Sequence, residues 1–208
     1  MEKLNQNNKV ILIGKITEEF KEDFQVKDQD FYKTFIEIKR LSGVVDKIPV
    51  VIDKNLVETK NEYVGSLVKI TGQYRSYNKY MNGKRKLILY VVIEEMHFFD
   101  EKEDGLRNNE VILNGYLCKK PIYRLTSNGK GITDILLAVN LIDKESAYIP
   151  CIAWYDKAIN ISNMEVGQQL LIKGRIQSRE YKKILSEDKT EIRTAYEVSI
   201  FSCDTIKG

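Results

Sequence analysis

Asn8-Lys9-Val10-Ile11-Leu12-Ile13-Gly14 returns 101 residues later as Asn109-Glu110-Val111-Ile112-Leu113-Asn114-Gly115. The same offset carries Ile48-Pro49 onto Ile149-Pro150. At an offset of 102, Val64-Gly65 falls on Val166-Gly167 and Ile70-Thr71-Gly72 on Ile172-Lys173-Gly174. Four landmarks in one order at nearly one spacing mark a duplicated unit of about 100 residues, longer than the periods of solenoid repeats. Two domains are therefore expected, at 1–100 and 108–208. The linker at 101–107 lies in the charged run Asp100-Glu101-Lys102-Glu103-Asp104-Gly105, which has no apolar periodicity.

Within each unit, five segments rich in Val, Ile, Leu, Phe and Tyr alternate with period two. In the first unit they lie near 9–17, 31–41, 47–53, 66–77 and 86–95. In the second they lie near 110–118, 132–142, 147–155, 169–181 and 193–201. A helix-compatible stretch separates the third and fourth segments, near 54–63 and near 157–164. Gly65 and Gly167 follow these stretches, where a helix would stop. Five strands with a helix between the third and fourth is the layout of an OB-fold. The expected architecture is all-β: two tandem five-stranded Greek-key barrels, each with that short helix.

Strand alternation then assigns faces. On the fourth strand of the second unit, Leu170, Ile172, Gly174 and Ile176 share the core parity. Lys173, Arg175, Gln177, Arg179 and Tyr181 share the outward one. On the third strand, Ile149, Cys151 and Ala153 face the core, and Tyr148, Ile152 and Trp154 face out. Rings beside a cationic row suit single-stranded nucleic acid, because bases stack on aromatic faces while Lys and Arg follow the phosphates. The same positions also suit rings that cap a barrel end or fill the seam between domains. The first unit is thinner there. It presents Lys47, Pro49, Val51 and Asp53 on its third strand, and Lys69, Thr71, Gln73, Arg75 and Tyr77 on its fourth. A polar hairpin follows, with Asn82-Gly83 as its turn and Tyr80, Lys84, Arg85 and Lys86 on its arms.

Composition narrows the alternatives. The net charge of +3 is mild. The second half carries the whole excess, which is compatible with an anionic partner there. Cys118, Cys151 and Cys203 are odd in number and far apart, so each reads as a small core hydrophobe rather than half of a disulfide. The longest apolar run, Leu87 to Ile93, is seven residues against the roughly 20 of a membrane helix. With a polar N-terminus, this leads to an expectation of a cytoplasmic protein without a membrane partner. An enzyme is not expected. The single histidine, His97, cannot form a histidine metal cluster, and neither a GxxxxGK[ST] phosphate loop nor a GxSxG elbow occurs. Asn128-Gly129-Lys130-Gly131 reads as a hairpin turn. No cofactor is expected.

Tyr148-Ile149-Pro150-Cys151-Ile152-Ala153-Trp154-Tyr155-Asp156-Lys157-Ala158, Val166-Gly167-Gln168 and Lys173 to Tyr181 together resemble the bacterial single-stranded DNA-binding protein family. Asn8 to Gly14 and Tyr63 to Tyr77 give the first unit a weaker form of the same likeness. The resemblance implies stacking on Tyr148, Trp154 and Tyr181, and a basic strand at Arg175 and Arg179. It also implies a role in DNA replication, repair or recombination, with proteins of those processes as partners. In the first unit, Lys47 and Asp53 hold the third-strand ring positions, a departure from the family pattern. The chain also ends without the acidic tail and terminal Pro-Phe of replicative members, which resembles an accessory member. Most members assemble four barrels, so two per chain imply a homodimer. A primosome-like protein-interaction adaptor and an RNA-binding module are the alternatives that this fold admits.

Overall fold

In the computed structural model, the structure describes residues 7–26, 29–58, 62–81, 83–100, 108–141, 145–186 and 189–206. The expected linker at 101–107 and Asn82 of the first hairpin turn lie outside them. The first barrel comprises β1 (Asn8–Ile16), β2 (Lys21–Val26), β3 (Gln29–Lys39), β4 (Val45–Asp53), β5 (Leu67–Met81) and β6 (Lys84–Phe98). The second comprises β7 (Asn109–Leu117), β8 (Ile122–Leu125), β9 (Gly131–Asn140), β10 (Ser146–Trp154), α1 (Asp156–Ser162), β11 (Gln169–Ser186) and β12 (Lys189–Thr205).

Each barrel closes by the same pairings. β1 joins β5 and β3, β5 joins β6, and β6 runs parallel to β4 at Val50–Val91 and Val51–Val92. β7, β11, β12, β10 and β9 repeat this ring, with the parallel step at Cys151–Val198 and Ile152–Ser199. This is the OB-fold layout expected from the repeat. β2 and β8 are additional short strands at the outer edges of the sheet, beyond the five expected per unit. The four residues of β8 are all exposed, so no buried alternation marked that segment.

The apolar parity behaves as read. Leu170, Ile172 and Ile176, like Ile149 and Ala153, are completely buried, and Cys151 nearly so. Gly72 and Gly174 sit at bulges where the fourth strand bends around the barrel. A Cβ on Gly72 would stand 1.9 Å from the Val92 carbonyl oxygen, and one on Gly174 2.4 Å from that of Ser199. The repeated glycine therefore serves close backbone approach.

Of the stretch near 54–63 where a helix was expected, the described residues form a single 3-10 turn at Lys54–Leu56 that buries nothing, and 59–61 lie outside them, whereas α1 buries Ala158 and Ile161 against its barrel. The repeat offset places Val57 and Lys60 at the corresponding positions. A lysine where the second unit has isoleucine breaks the apolar stripe that anchors a short helix. Asp53 then caps the turn by accepting from the Asn55 N–H at 2.8 Å.

The two barrels are joined edge to edge. β1 pairs antiparallel with β7, with Asn8 opposite Leu113 and Leu12 opposite Asn109, so a quasi-two-fold axis passes at Val10–Val111. Asn8 receives the Tyr74 N–H and donates to the Tyr74 carbonyl. Asn109 does the same with Ile176. Away from the axis, the Tyr148 N–H donates to Ser76 Oγ at 2.7 Å, and the Lys47 N–H donates to Ser178 Oγ at 3.3 Å. Among the described residues, one side of the seam adds a buried charge. The completely buried Asp46 carboxylate takes two 2.6 Å bonds from Arg40 and the Ser178 N–H at 2.7 Å.

This seam overturns part of the face assignment. Pro49 and Val51 are not outward-facing in effect; both are buried, and β11 of the second barrel lies against β4 at Asp46 and Lys47. Tyr74 is also fully buried there, and its hydroxyl has no hydrogen-bond partner. Its burial, with the Cys151 thiol nearby, raises its pKa well above the usual phenol value.

Asp46→Ala strands the Arg40 guanidinium at the seam and is expected to cost about 2–4 kcal/mol in urea unfolding. Tyr74→Phe removes a hydroxyl that is desolvated without a partner. It is expected to hold or raise stability by up to about 1 kcal/mol in the same assay, provided the barrel keeps its packing.

Candidate nucleic-acid interface

A cleft of about 700 Å³ opens on the outer face of the second barrel. β10 contributes Ile152 as its floor and Trp154 at its wall; β11 contributes Arg175, Gln177, Ser178, Arg179 and Glu180. Ile152 has the expected outward parity but is only 3% exposed, because the cleft walls close over it. Arg40 and Val44 enter from the first barrel, and Arg124 from β8.

Trp154 is half-buried, and its ring centroid lies 6.5 Å from that of Tyr155 at a tilted 42°. Tyr155 has φ 56° and ψ −130°, the one positive φ at a non-glycine among the described residues. Such a conformation costs on the order of 1–3 kcal/mol and persists only where its surroundings enforce it. Here the Tyr155 N–H donates to the Gly131 carbonyl at 3.0 Å, and its own carbonyl accepts from Ala158 to open α1. The strained residue turns the chain directly after Trp154 and fixes the end of β10.

The four arginines of the cleft are not equivalent. Arg40 is held by Asp46, which raises its pKa. Arg124 is held by Asp134, through Nε at 2.5 Å and Nη2 at 3.2 Å, with the same effect. Arg175 has a buried Nε with no hydrogen-bond partner, and its guanidinium lies 5.7 Å from the Phe201 ring. Burial, and then the nearby Arg40 charge, lower its pKa. Arg179 is exposed, 5.9 Å from the Tyr181 ring. Gln177 donates to Glu197 at 2.8 Å, so that carboxylate is engaged. Two cations, Arg175 and Arg179, are thus left without a carboxylate partner in a cleft whose wall carries a tryptophan.

Of the residues singled out in the sequence, Trp154, Arg175 and Arg179 come together in this cleft. Tyr181, Arg85 and Lys86 line a neighbouring one. Tyr148 is 42% exposed and lines neither. Arg75 is tied into the first barrel by donating to Gln73, which donates to Glu94 at 2.6 Å. Tyr77 packs edge-on against Tyr90, with centroids 5.5 Å apart. Tyr80, on the exposed hairpin, accepts from Arg85 Nε at 2.7 Å, and Lys84 is exposed beside the turn. Arg40 and Arg124 carried no sequence signal: one reaches across the seam, and the other lies on a strand the alternation did not reveal.

Among the described residues, no group of three His, Cys, Asp or Glu is placed to hold a metal ion, and no helix is long and apolar enough to cross a membrane. Cys151 is buried, and Cys118 and Cys203 are half-buried. Burial pushes the Cys151 thiol far above its ordinary range, raises Cys118, and brings Cys203 up to about 11.

These features define a tandem OB-fold protein with an aromatic and cationic cleft on its second barrel. Residues 108–201 match the family model described as the single-strand binding protein family. The match falls on the second barrel. Among curated proteins, the single-stranded DNA-binding protein of Bacillus cereus is 36% identical over 80 residues, covering 35% of this chain and 47% of that protein. Single-stranded DNA-binding protein A of Bacillus subtilis is 35% identical over 80 residues, covering 35% and 46%. The chain spans about half the length of these relatives. The crystal structure of the wild-type single-stranded DNA binding protein from Thermus aquaticus superposes with a TM-score of 0.74 at 20% identity, over 97% of this chain and 93% of that one. The two-barrel architecture thus recurs there as a whole.

The raised thiol pKa values have a direct consequence. Burial disfavours the thiolate at all three cysteines of the folded chain. A disulfide reagent such as DTNB is expected to release little thiolate from native protein and three equivalents after unfolding.

Proposed function

We propose that this chain binds single-stranded DNA with little sequence preference, through the cleft of the second barrel. The observation that carries this reading is the half-buried Trp154 facing Arg175 and Arg179, two cations that no carboxylate in the cleft neutralises. A base stacks on the indole, and the guanidiniums meet the flanking phosphates. Tyr181 supplies a further ring on the same strand face. Tyr148 presents an exposed ring farther along β10. Arg75 and Tyr77 brace the base of the β5–β6 hairpin, whose Tyr80, Lys84, Arg85 and Lys86 offer a ring and three cations to the strand. The role is binding rather than catalysis, in the cytoplasm, in replication, repair or recombination. The match of residues 108–201 to the single-strand binding protein family model and the names of the relatives support that assignment. Two chains would supply four barrels, and a homodimer is proposed on that ground.

Titration of Trp154 fluorescence with oligo-dT is expected to show strong quenching. Affinity should fall with salt at about −0.7 in the log–log slope for each phosphate contacted. Trp154→Ala is expected to weaken binding by about 1–3 kcal/mol, roughly 5- to 150-fold, with its unfolding midpoint little changed. Unaltered affinity in that variant excludes Trp154 as the platform. Preference for oligo-rU over oligo-dT would instead select RNA through its 2′-hydroxyls.

A further inference from the structure

The twelve-stranded sheet ends in β2 on one side and β8 on the other. The two edges are built differently. β2 carries Lys21, Glu22 and Asp23 in its sequence, and charge on an edge strand discourages pairing with a foreign strand. β8 reads Ile122-Tyr123-Arg124-Leu125. Ile122 is 62% exposed, Tyr123 47% and Leu125 63%. The strand's one charge is already engaged, because Arg124 is held by Asp134. An exposed, mostly apolar edge of this kind is a template for strand addition.

The hydrogen bonds around β8 show which of its main-chain groups are open. In the turn that follows it, the Thr126 N–H donates to the Lys130 carbonyl, and the Gly129 N–H donates to the Thr126 carbonyl, both at 2.9 Å. Thr126 therefore bonds inward, toward β9. In an antiparallel pair such residues alternate with residues whose groups point away. Leu125 stands opposite Gly131, whose carbonyl is turned from β8 and accepts from the Tyr155 N–H at 3.0 Å. The N–H and C=O of Leu125, and those of Tyr123 two residues earlier, thus point away from β9. Among the described residues, no strand pairs with that side. Exposed cations stand at both ends of the edge, Lys119 and Lys120 before β8 and Lys130 after its turn.

We propose that the outer edge of β8 docks an extended acidic peptide of a partner protein, which joins the sheet as a further strand. The new ladder runs through the N–H and C=O groups of Tyr123 and Leu125. Apolar side chains at alternate positions of the peptide pack beside those of Tyr123 and Leu125, and its carboxylates meet Lys119, Lys120 and Lys130. A second copy of the chain fits this edge poorly. It would bring like charges together at both ends, and four residues a side fall far short of the roughly 20–30 of a stable interface. A nucleic-acid strand has no amides with which to continue the ladder. The proposal stands apart from the single-strand reading of the Trp154 cleft, although Arg124, Thr126 and Ser127 of the same hairpin line that cleft.

The probe is a fluorescein-labelled peptide of sequence EVDIDVE, titrated against the whole chain by anisotropy beside its basic counterpart KVKIKVK. The acidic probe is expected to bind saturably, about tenfold or more tighter than the basic one, and to weaken with salt. On its addition, amide hydrogen exchange followed by NMR should slow at Tyr123 and Leu125. It should stay unchanged at Arg124, whose main chain already faces Ile132 of β9. Lys119→Glu/Lys120→Glu and Leu125→Pro are each expected to weaken the probe by about tenfold, the proline because it removes a donor from the outer edge and none from the β8–β9 ladder. Thermal melts check that both variants fold; should Leu125→Pro melt early, the exchange pattern of the unaltered chain decides the matter. Failure of the acidic probe to saturate, equal binding of the two probes, or protection that bypasses Tyr123 and Leu125 overturns the proposal. Unaltered probe binding with weakened oligo-dT binding in Lys119→Glu/Lys120→Glu assigns those lysines to nucleic acid and also overturns it. A dimer in sedimentation that Leu125→Pro abolishes gives the edge to a second copy instead.

Discussion

The antiparallel pairing of β1 with β7 is the contact on which the rest of the architecture depends. It turns two barrels into a single twelve-stranded sheet and sets their relation by main-chain hydrogen bonds. Side-chain identity matters little to such bonds, so the seam tolerates extensive divergence between the copies while keeping its geometry. Asn8 and Asn109 then lock each opening strand to the fourth strand of its own barrel beside the axis. The serine hydroxyls of Ser76 and Ser178 receive main-chain donors from the opposite barrel. Both hairpins are therefore delivered across the seam.

On this nearly symmetric frame the two faces differ in chemistry. Asp46 and Arg40 form a buried ion pair at one side of the seam. At the mirror position the repeat places Ala147 and Leu141, both buried. The pair holds Arg40 at the rim of the Trp154 cleft and fastens Ser178, two residues from Tyr181's neighbour Glu180, to the first barrel. A charge buried on one side alone links the cleft face of the second barrel to the fold of the first.

Much of this was legible in the sequence, and the limits have physical causes. The duplication and the apolar parity of Leu170, Ile172 and Ile176 are local patterns, and the structure follows them. The ring of Trp154 and the cations Arg175 and Arg179 line one cleft. Alternation, however, reports which way a side chain points and not what covers it. Pro49 and Val51 point away from their own barrel and are nonetheless buried. Arg40 acts on residues more than 130 positions away, a separation no local pattern encodes. The edge strand β8 has no buried face, and four exposed residues are too few for a period-two pattern to stand out.

The covalent continuity of the barrels also changes how their interface responds to dilution. Two identical single-barrel chains meeting at an isologous interface would dissociate as their concentration falls, and each substitution would appear on both sides. Here the β1–β7 contact forms within one molecule, at a strength that dilution leaves untouched. A residue such as Asp46 can be introduced once, without an unpaired twin across the axis. Intramolecular pairing thus frees each half of the seam to specialise alone.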